Sequence, residues 1–195
     1  MTGKREVARI QPGGRAPAPG QLAVVQAFIN THYDLEHDHG AEVLATPEAL
    51  SVWLHRAGLS ADRPYADVFD LENALAVREG LRALAAGGPE TDFALQRLDG
   101  AARGAAVEVR LGGEQKFAAA PGTGAAGAIG VLMALTACAI ADGSWSRLKI
   151  CPGEHCGWAF YDHSKNRSGR WCAMSVCGGR TKARRHYRRQ RSAER

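Results

Sequence analysis

Four of the five cysteines fall into two pairs of identical spacing, Cys151-x4-Cys156 and Cys172-x4-Cys177, with fifteen residues between them. No other stretch limits the fold as strongly. Two such pairs can bring four thiolates to the corners of one tetrahedron, the coordination Zn2+ adopts when its role is structural. Pro152 and Gly153 allow the tight turn the first pair needs, and Gly178 and Gly179 let the chain turn closely after the second. In a reducing compartment, paired cysteines serve as metal ligands more often than as disulfides. The expectation is one structural zinc on Cys151, Cys156, Cys172 and Cys177, with His155 and His163 as alternative donors. A closed set of four sulfurs leaves no position for water or substrate, so the chain reads as a non-enzyme. Cys138, outside both pairs, reads as a small buried core residue.

The zinc module ends in charge. Residues 147–195 hold 13 Lys/Arg against 3 Asp/Glu, whereas residues 1–146 hold 12 against 17, so the formal net charge of +5 conceals an acidic body and a basic tail. Such an asymmetry points to a polyanion at one end. Lys165, Arg167 and Arg170 sit between the cysteine pairs in a polar loop with Asn166 and Ser168, suited to phosphate contacts. Beyond Cys177, residues 180–191 read as a helix with Arg180, Arg184, Arg188 and Arg191 in one stripe, widened by Lys182, Arg185 and Arg189. Ala183 and Tyr187 form a small apolar edge opposite, expected to dock while the basic arc faces outward. Like charges crowded on one helix repel unless a polyanion neutralises them. The expected partner is nucleic acid, first of all double-stranded DNA. Trp158, Phe160, Tyr161 and Trp171 read mostly as core, with Trp158 or Tyr161 able to stack on a base, so an RNA binder is the alternative. A zinc-thiolate redox sensor is the alternative from another class, since Arg180 and Lys182 beside Cys177 would lower its pKa.

Upstream, the chain reads as α+β, a mostly helical domain with one β-hairpin. Residues 1–20, rich in Pro and Gly from Pro12 to Gly20, read as a flexible leader. Residues 21–144 read as the body, and residues 145–195 as a knuckle or treble-clef-like zinc module ending in the basic helix. The first ten residues lack the apolar core of a secretory signal, which places the expected protein in the cytoplasm. The uncharged run Ala118 to Ala141 is broken by Pro121 and four glycines and reads as a buried helix over its second half rather than a membrane span. Residues 21–31 are apolar enough for a core helix or a buried strand. Thr46-Pro47-Glu48 opens a short helix, with a hydroxyl at the N-cap and proline at the first position. Helices are expected over residues 65–86, 90–103 and 125–142, and Val107, Val109 and Leu111 alternate with charged residues as in a hairpin strand. His32, His37 and His39, with acidic neighbours, form either a local metal site or a solvated polar loop.

Arg78 and Arg82, one turn apart, project into the apolar arc of the 65–86 helix among Leu71, Leu75 and Leu81. Guanidinium groups on a core-facing stripe need partners. Either their heads meet acids from a neighbouring element, or they line an anion pocket for a small effector. The second reading gives the body a sensing role, with homodimerisation as the other role open to it.

The C-terminal residues resemble the CGNR zinc-finger proteins. The likeness lies in Cys151-x4-Cys156, Trp158-Ala-Phe-Tyr-Asp162, Ser164-Lys-Asn-Arg-Ser168, Arg170-Trp171-Cys172-x-Met174 and Cys177-Gly178-Gly179-Arg180. Gly179 stands where the family's name motif has Asn. The body is similar to the ABATE domain, through Phe28-Ile-Asn30-Thr31, Thr46-Pro47-Glu48 and Arg78-Glu79-x-Leu81-Arg82. The resemblance implies a DNA-binding transcription regulator with one structural zinc and an α+β domain in front of it.

Overall fold

The computed structural model describes residues 11–33, 42–89, 91–104, 107–110, 118–121 and 123–193 of the 195-residue chain. Residues 22–29 form a helix, α1 (Leu22–Ile29), with Leu22, Val25, Phe28 and Ile29 buried. In α2 (Pro47–Arg56), the Thr46 hydroxyl accepts from the Ala49 N–H as an N-cap does. Its Trp53 packs on Phe28 with ring centroids 5.3 Å apart. α3 (Val68–Ala86) starts three residues later than its apolar spacing predicts, because Asp67 and Asp70 close a reciprocal capping box there.

α4 (Thr91–Gly104) follows, and then β1 (Val107–Arg110) pairs antiparallel with β2 (Ala118–Pro121), Val107 opposite Pro121. The Gly112-Gly113 turn lies outside the described residues, as do His37 and His39. α5 (Gly124–Ala141) is long and apolar enough to cross a membrane by length and composition. Here it is a core helix, with Ile129 and Leu132 buried, packed against α1 and the hairpin. A single helical turn, Ser144–Arg147, delivers the chain to β3 (Leu148–Ile150), which pairs antiparallel with β4 (Ala159–Tyr161). A π-helical turn, Met174–Gly178, runs into the last helix, α6 (Gly179–Ala193).

The break in sequence at Gly143-Ser144 is not a break in packing. Leu148, Ala159 and Tyr161 of the second hairpin belong to the same apolar cluster as Phe28, Leu54 and Leu81 of the body. Among the described residues strand β4 has only β3 beside it, and α1 and Asn30 after it serve its other edge. The Asn30 amide donates to the Ala159 carbonyl at 2.8 Å and accepts from the Ala159 N–H at 2.7 Å, so one side chain does what a third strand would. Gln26 donates to the same carbonyl at 3.0 Å and accepts from the Ala18 N–H at 2.7 Å. Every one of these groups is buried, so each bond removes a desolvation cost as well as adding an attraction.

Of the leader expected to be flexible over residues 1–20, residues 11–20 pack on the zinc module and α1, and residues 1–10 lie outside the described residues. Gln11 is buried and accepts both the Trp158 indole N–H at 2.9 Å and the Gln26 amide at 3.0 Å. Arg15 spreads its guanidinium over three carbonyls, Tyr161 at 3.2 Å, Trp171 at 3.1 Å and Cys172 at 3.0 Å, and lies 4.8 Å from the Phe160 ring centre. A two-stranded hairpin leaves carbonyls unpaired, and this segment supplies the donors. Apart from a 3-10 turn at Pro12–Gly14, the Pro- and Gly-rich segment is irregular, which is different from mobile.

Candidate metal centre

The four paired cysteines meet. Their sulfurs all lie within 4.8 Å of one another and every one of the residues is buried. Cys156 and Cys172 sulfurs are 3.8 Å apart, and those of Cys172 and Cys177 are 3.6 Å apart. With a Zn–S bond of about 2.3 Å, the edge of a tetrahedron of four sulfurs is about 3.8 Å. The donor set therefore fits one structural zinc. None of the cysteines is in a disulfide.

Local chain chemistry explains why they converge. The first pair occupies the turn between β3 and β4, where the Cys151 N–H donates to the Trp158 carbonyl and the Cys156 N–H to the Gly153 carbonyl. A Cβ on Gly153 would sit 3.0 Å from the Cys177 sulfur and 3.3 Å from the Cys156 Cβ, so a side chain there would crowd the centre. Cys177 comes from the π-helical turn just before α6, its N–H donating to the Ala173 carbonyl. This placement, a knuckle in a hairpin facing a helix start, is treble-clef-like. His155 is exposed, and His163 bonds the Ala16 and Pro17 carbonyls, so neither alternative donor is needed.

The sulfurs cannot all be thiolates without a cation. Hydrogen bonds from Cys156 and Cys172 push Cys151 down, while the same bonds, with burial and mutual repulsion, hold the Cys156 and Cys172 thiols up. For Cys177, burial first and then the Cys151 charge push the thiol up, opposite to the lowering expected from Arg180 and Lys182. A bound Zn2+ supplies the charge that stabilises all four thiolates together.

Between the pairs, the basic loop is built around Asp162. This carboxylate is fully buried, bonded by Lys149 at 2.7 Å, the Gly169 N–H at 2.7 Å and the Ser164 N–H at 3.0 Å. Burial alone would raise its pKa, but Lys149 and the Ser164 and Gly169 donors outweigh that and hold it far below the ordinary carboxylate range. A Cβ on Gly169 would fall 2.6 Å from Asp162 Oδ1, so glycine is required for the chain to pass. Around this knot, Lys165, Arg167 and Arg170 are all exposed. Arg167 reaches Ser146 at 3.3 Å.

Helix α6 is turned the other way from its expected docking. Ala183 and Tyr187, the apolar edge, are exposed, Tyr187 by 65%. Arg180, Thr181 and Arg184 are half-buried against the module instead. Arg184 pairs with Glu154 of the first knuckle, and the Thr181 hydroxyl donates to the Cys177 carbonyl at 2.9 Å. A carboxylate and a carbonyl at the contact favour a cationic and a hydroxylic face over an alanine and a ring. Lys182, Arg188, Arg189 and Arg191 are exposed. The side chain of Arg185 lies outside the described residues.

Of the two readings of Arg78 and Arg82, the contacts favour the one in which protein acceptors meet the guanidinium heads. Arg78 grips Glu42 with two parallel bonds of 2.6 and 2.7 Å and also bonds Glu79 at 2.9 Å and the Thr31 hydroxyl at 3.2 Å. Arg82 bonds Glu79 at 3.0 Å and the carbonyls of Ile29, His32 and Gly157. These arginines tie α3 to α1 and to the knuckle, and each spends four of its five N–H donors on the protein. Burial would raise the Glu42 carboxyl, but bonds from Arg78 and the Leu44 N–H outweigh it and hold it below its ordinary value.

Sequence reasoning missed Gln11, Arg15, Gln26 and Asn30 as partners of the module. The available signal was two amides, Gln26 and Asn30, in an otherwise apolar stretch. No curated protein matches the chain. Residues 147–190 match the CGNR zinc finger. Residues 6–143, more than half of the chain, match the ABATE family, described as "Putative stress-induced transcription regulator". With four buried cysteines set for one structural zinc behind that domain, the chain belongs to the ABATE family and carries a CGNR zinc finger at its C-terminal end.

Proposed function

We propose that this protein is a zinc-dependent, double-stranded-DNA-binding transcription regulator of the cytoplasm, in which the metal centre is a scaffold and not an active site. The observation that carries the reading is the outward face of α6, where Lys182 and Arg189 stand exposed beside His186 and Gln190 while Arg184 anchors the helix to Glu154. Cations on that face supply phosphate contacts, and an exposed amide and imidazole on the same helix can reach base edges. The loop bearing Lys165, Arg167 and Arg170 adds a second cationic element on the same module.

Against the RNA alternative stand Trp158, Phe160 and Tyr161, which are buried and so cannot stack on unpaired bases. Against the redox-sensor alternative stands the burial of all four ligand cysteines, which limits access of an oxidant. The four-sulfur donor set favours the non-enzyme reading, because it offers no open coordination position. For homodimerisation, the supporting feature is an exposed apolar patch at the start of α3, Val68 and Phe69 with Tyr65 just before the helix; sedimentation at micromolar concentration tests it.

Fluorescence anisotropy with duplex DNA and structured RNA, across a salt series and with and without chelator, tests the reading. Metal-dependent binding that prefers the duplex is expected. With about six phosphates neutralised, affinity falls roughly three orders of magnitude between about 50 and 200 mM salt. Equal or tighter binding to RNA, or binding indifferent to chelator, would overturn it.

A further inference from the structure

With Arg78 and Arg82 engaged by the protein, a place where a small molecule could touch both modules lies elsewhere among the described residues. A cleft of about 510 Å3 lies where the C-terminal end of α3 meets the zinc module. Its floor and walls are apolar, from Leu84, Ala85, Trp145, Leu148, Ile150 and Pro152. Its polar rim comes from Ser146, Lys149 and Arg170. Sites for small ligands are typically about 300–1,000 Å3, mostly apolar with few polar groups, and favour the junction of two modules.

The two cations of the rim differ. Lys149 has three donors and uses them on Asp162, the Arg167 carbonyl at 2.5 Å and the Gly169 carbonyl at 3.0 Å. Arg170 is exposed and stacks on Trp171 at 5.1 Å from the ring centre; among the described residues its guanidinium has no hydrogen bond or ion pair. Another part of the lining is the end of α3, whose last carbonyls disfavour an anion. A ligand is thus oriented by the cleft, with its charge toward Arg170 and its apolar body against Leu84, Ala85 and Trp145.

We propose that this cleft binds a small, flat apolar molecule carrying one anionic group, and that the bound anion takes Arg170 away from nucleic acid. The second half rests on the DNA-binding reading. The coupling needs no movement of the body: one guanidinium is claimed either by the ligand or by a phosphate, so each partner weakens the other by the same factor.

The probe is anilinonaphthalene sulfonate, an aromatic monoanion whose fluorescence reports an apolar site, titrated into the full zinc-loaded chain. Ala86→Trp, at an exposed residue of the cleft wall, should abolish the bound signal. Arg170→Gln should weaken binding at least about tenfold, the usual scale for losing a charge-assisted contact. Phe69→Ser, on the exposed apolar end of the same helix, should leave it unchanged and so excludes adhesion to that patch. Saturating dye should weaken duplex binding of the parent chain and not of Ala86→Trp. Dye binding that survives Ala86→Trp overturns the site, and dye that binds in the cleft without weakening duplex binding overturns the coupling. A chain that binds no duplex even without dye sinks the DNA-binding reading and the coupling with it, while the dye titration still decides the site.

Discussion

Two helices of this protein carry arginines at helical spacing, and they spend them differently. On α3, Arg78 is 5% exposed at its side chain and locked to Glu42 and Glu79, and Arg82 holds three backbone carbonyls. On α6, Arg184 is tied to the knuckle carboxylate of Glu154, while Lys182 and Arg189 are exposed. Arginines of the first kind serve the fold, because a buried guanidinium is tolerable only where acceptors surround it. Charges of the second kind contribute little to stability, so in the proposed function their concentration on one helix serves an external polyanion.

The comparison breaks most visibly at the metal. Removing zinc with a chelator, or Cys172→Ser, withdraws a binding free energy that is about 10 kcal/mol or more in zinc-finger peptides. The expected outcome is loss of duplex binding together with a lower thermal midpoint for the whole chain, since β4 is shared with the body; an unchanged midpoint would mean that the module unfolds independently.

Arg78→Ala comes next, at about 3 kcal/mol by urea unfolding of the zinc-loaded protein, because it strands Glu42 beside a buried site. The Glu42 carboxyl is held below its ordinary value, so its contribution is fully present above about pH 4.3 and is lost as pH falls through the folded value. Acid titration of the variant should show less destabilisation below that pH than the parent shows. Arg15→Ala should cost about 2 kcal/mol, with faster zinc release to a colorimetric chelator, while Arg15→Lys recovers only part of it because an ammonium cannot fan over three carbonyls.

On α6 the effects move from stability to binding. Lys182→Gln with Arg189→Gln should weaken duplex binding about tenfold and reduce the salt slope by about 2, with urea stability unchanged within about 0.5 kcal/mol. A large stability loss would place these side chains with Arg78 and not with the external face. Tyr187→Ala, on the exposed edge, should be the smallest, within about 0.5 kcal/mol.

Much of this was legible beforehand for identifiable reasons. The cysteine spacing, the Thr46-Pro47 cap and the alternation around Val107 are local patterns, each readable within a few residues. The start of α3 was misplaced because apolar spacing runs on through Tyr65 and Val68, both exposed, and only the Asp67–Asp70 box stops the helix. The face of α6 was reversed for a different reason. A wheel ranks faces by hydrophobicity, whereas Glu154, thirty residues away, made the basic face the better one to dock.

What the chain's own order of residues determined is the metal centre, the helical body, the hairpin and the basic terminal helix, because their signals are short-range: ligand spacing, caps and periodicity. Only the tertiary structure decided who partners whom. That Arg15 reaches across 157 positions to the Cys172 carbonyl, that Asn30 completes β4, and that Arg78 and Arg82 are held by protein acceptors while, among the described residues, Arg170 only stacks on Trp171, all depend on which carbonyls and carboxylates the fold leaves unpaired at each surface. Those vacancies are created by packing, and no spacing within the sequence encodes them.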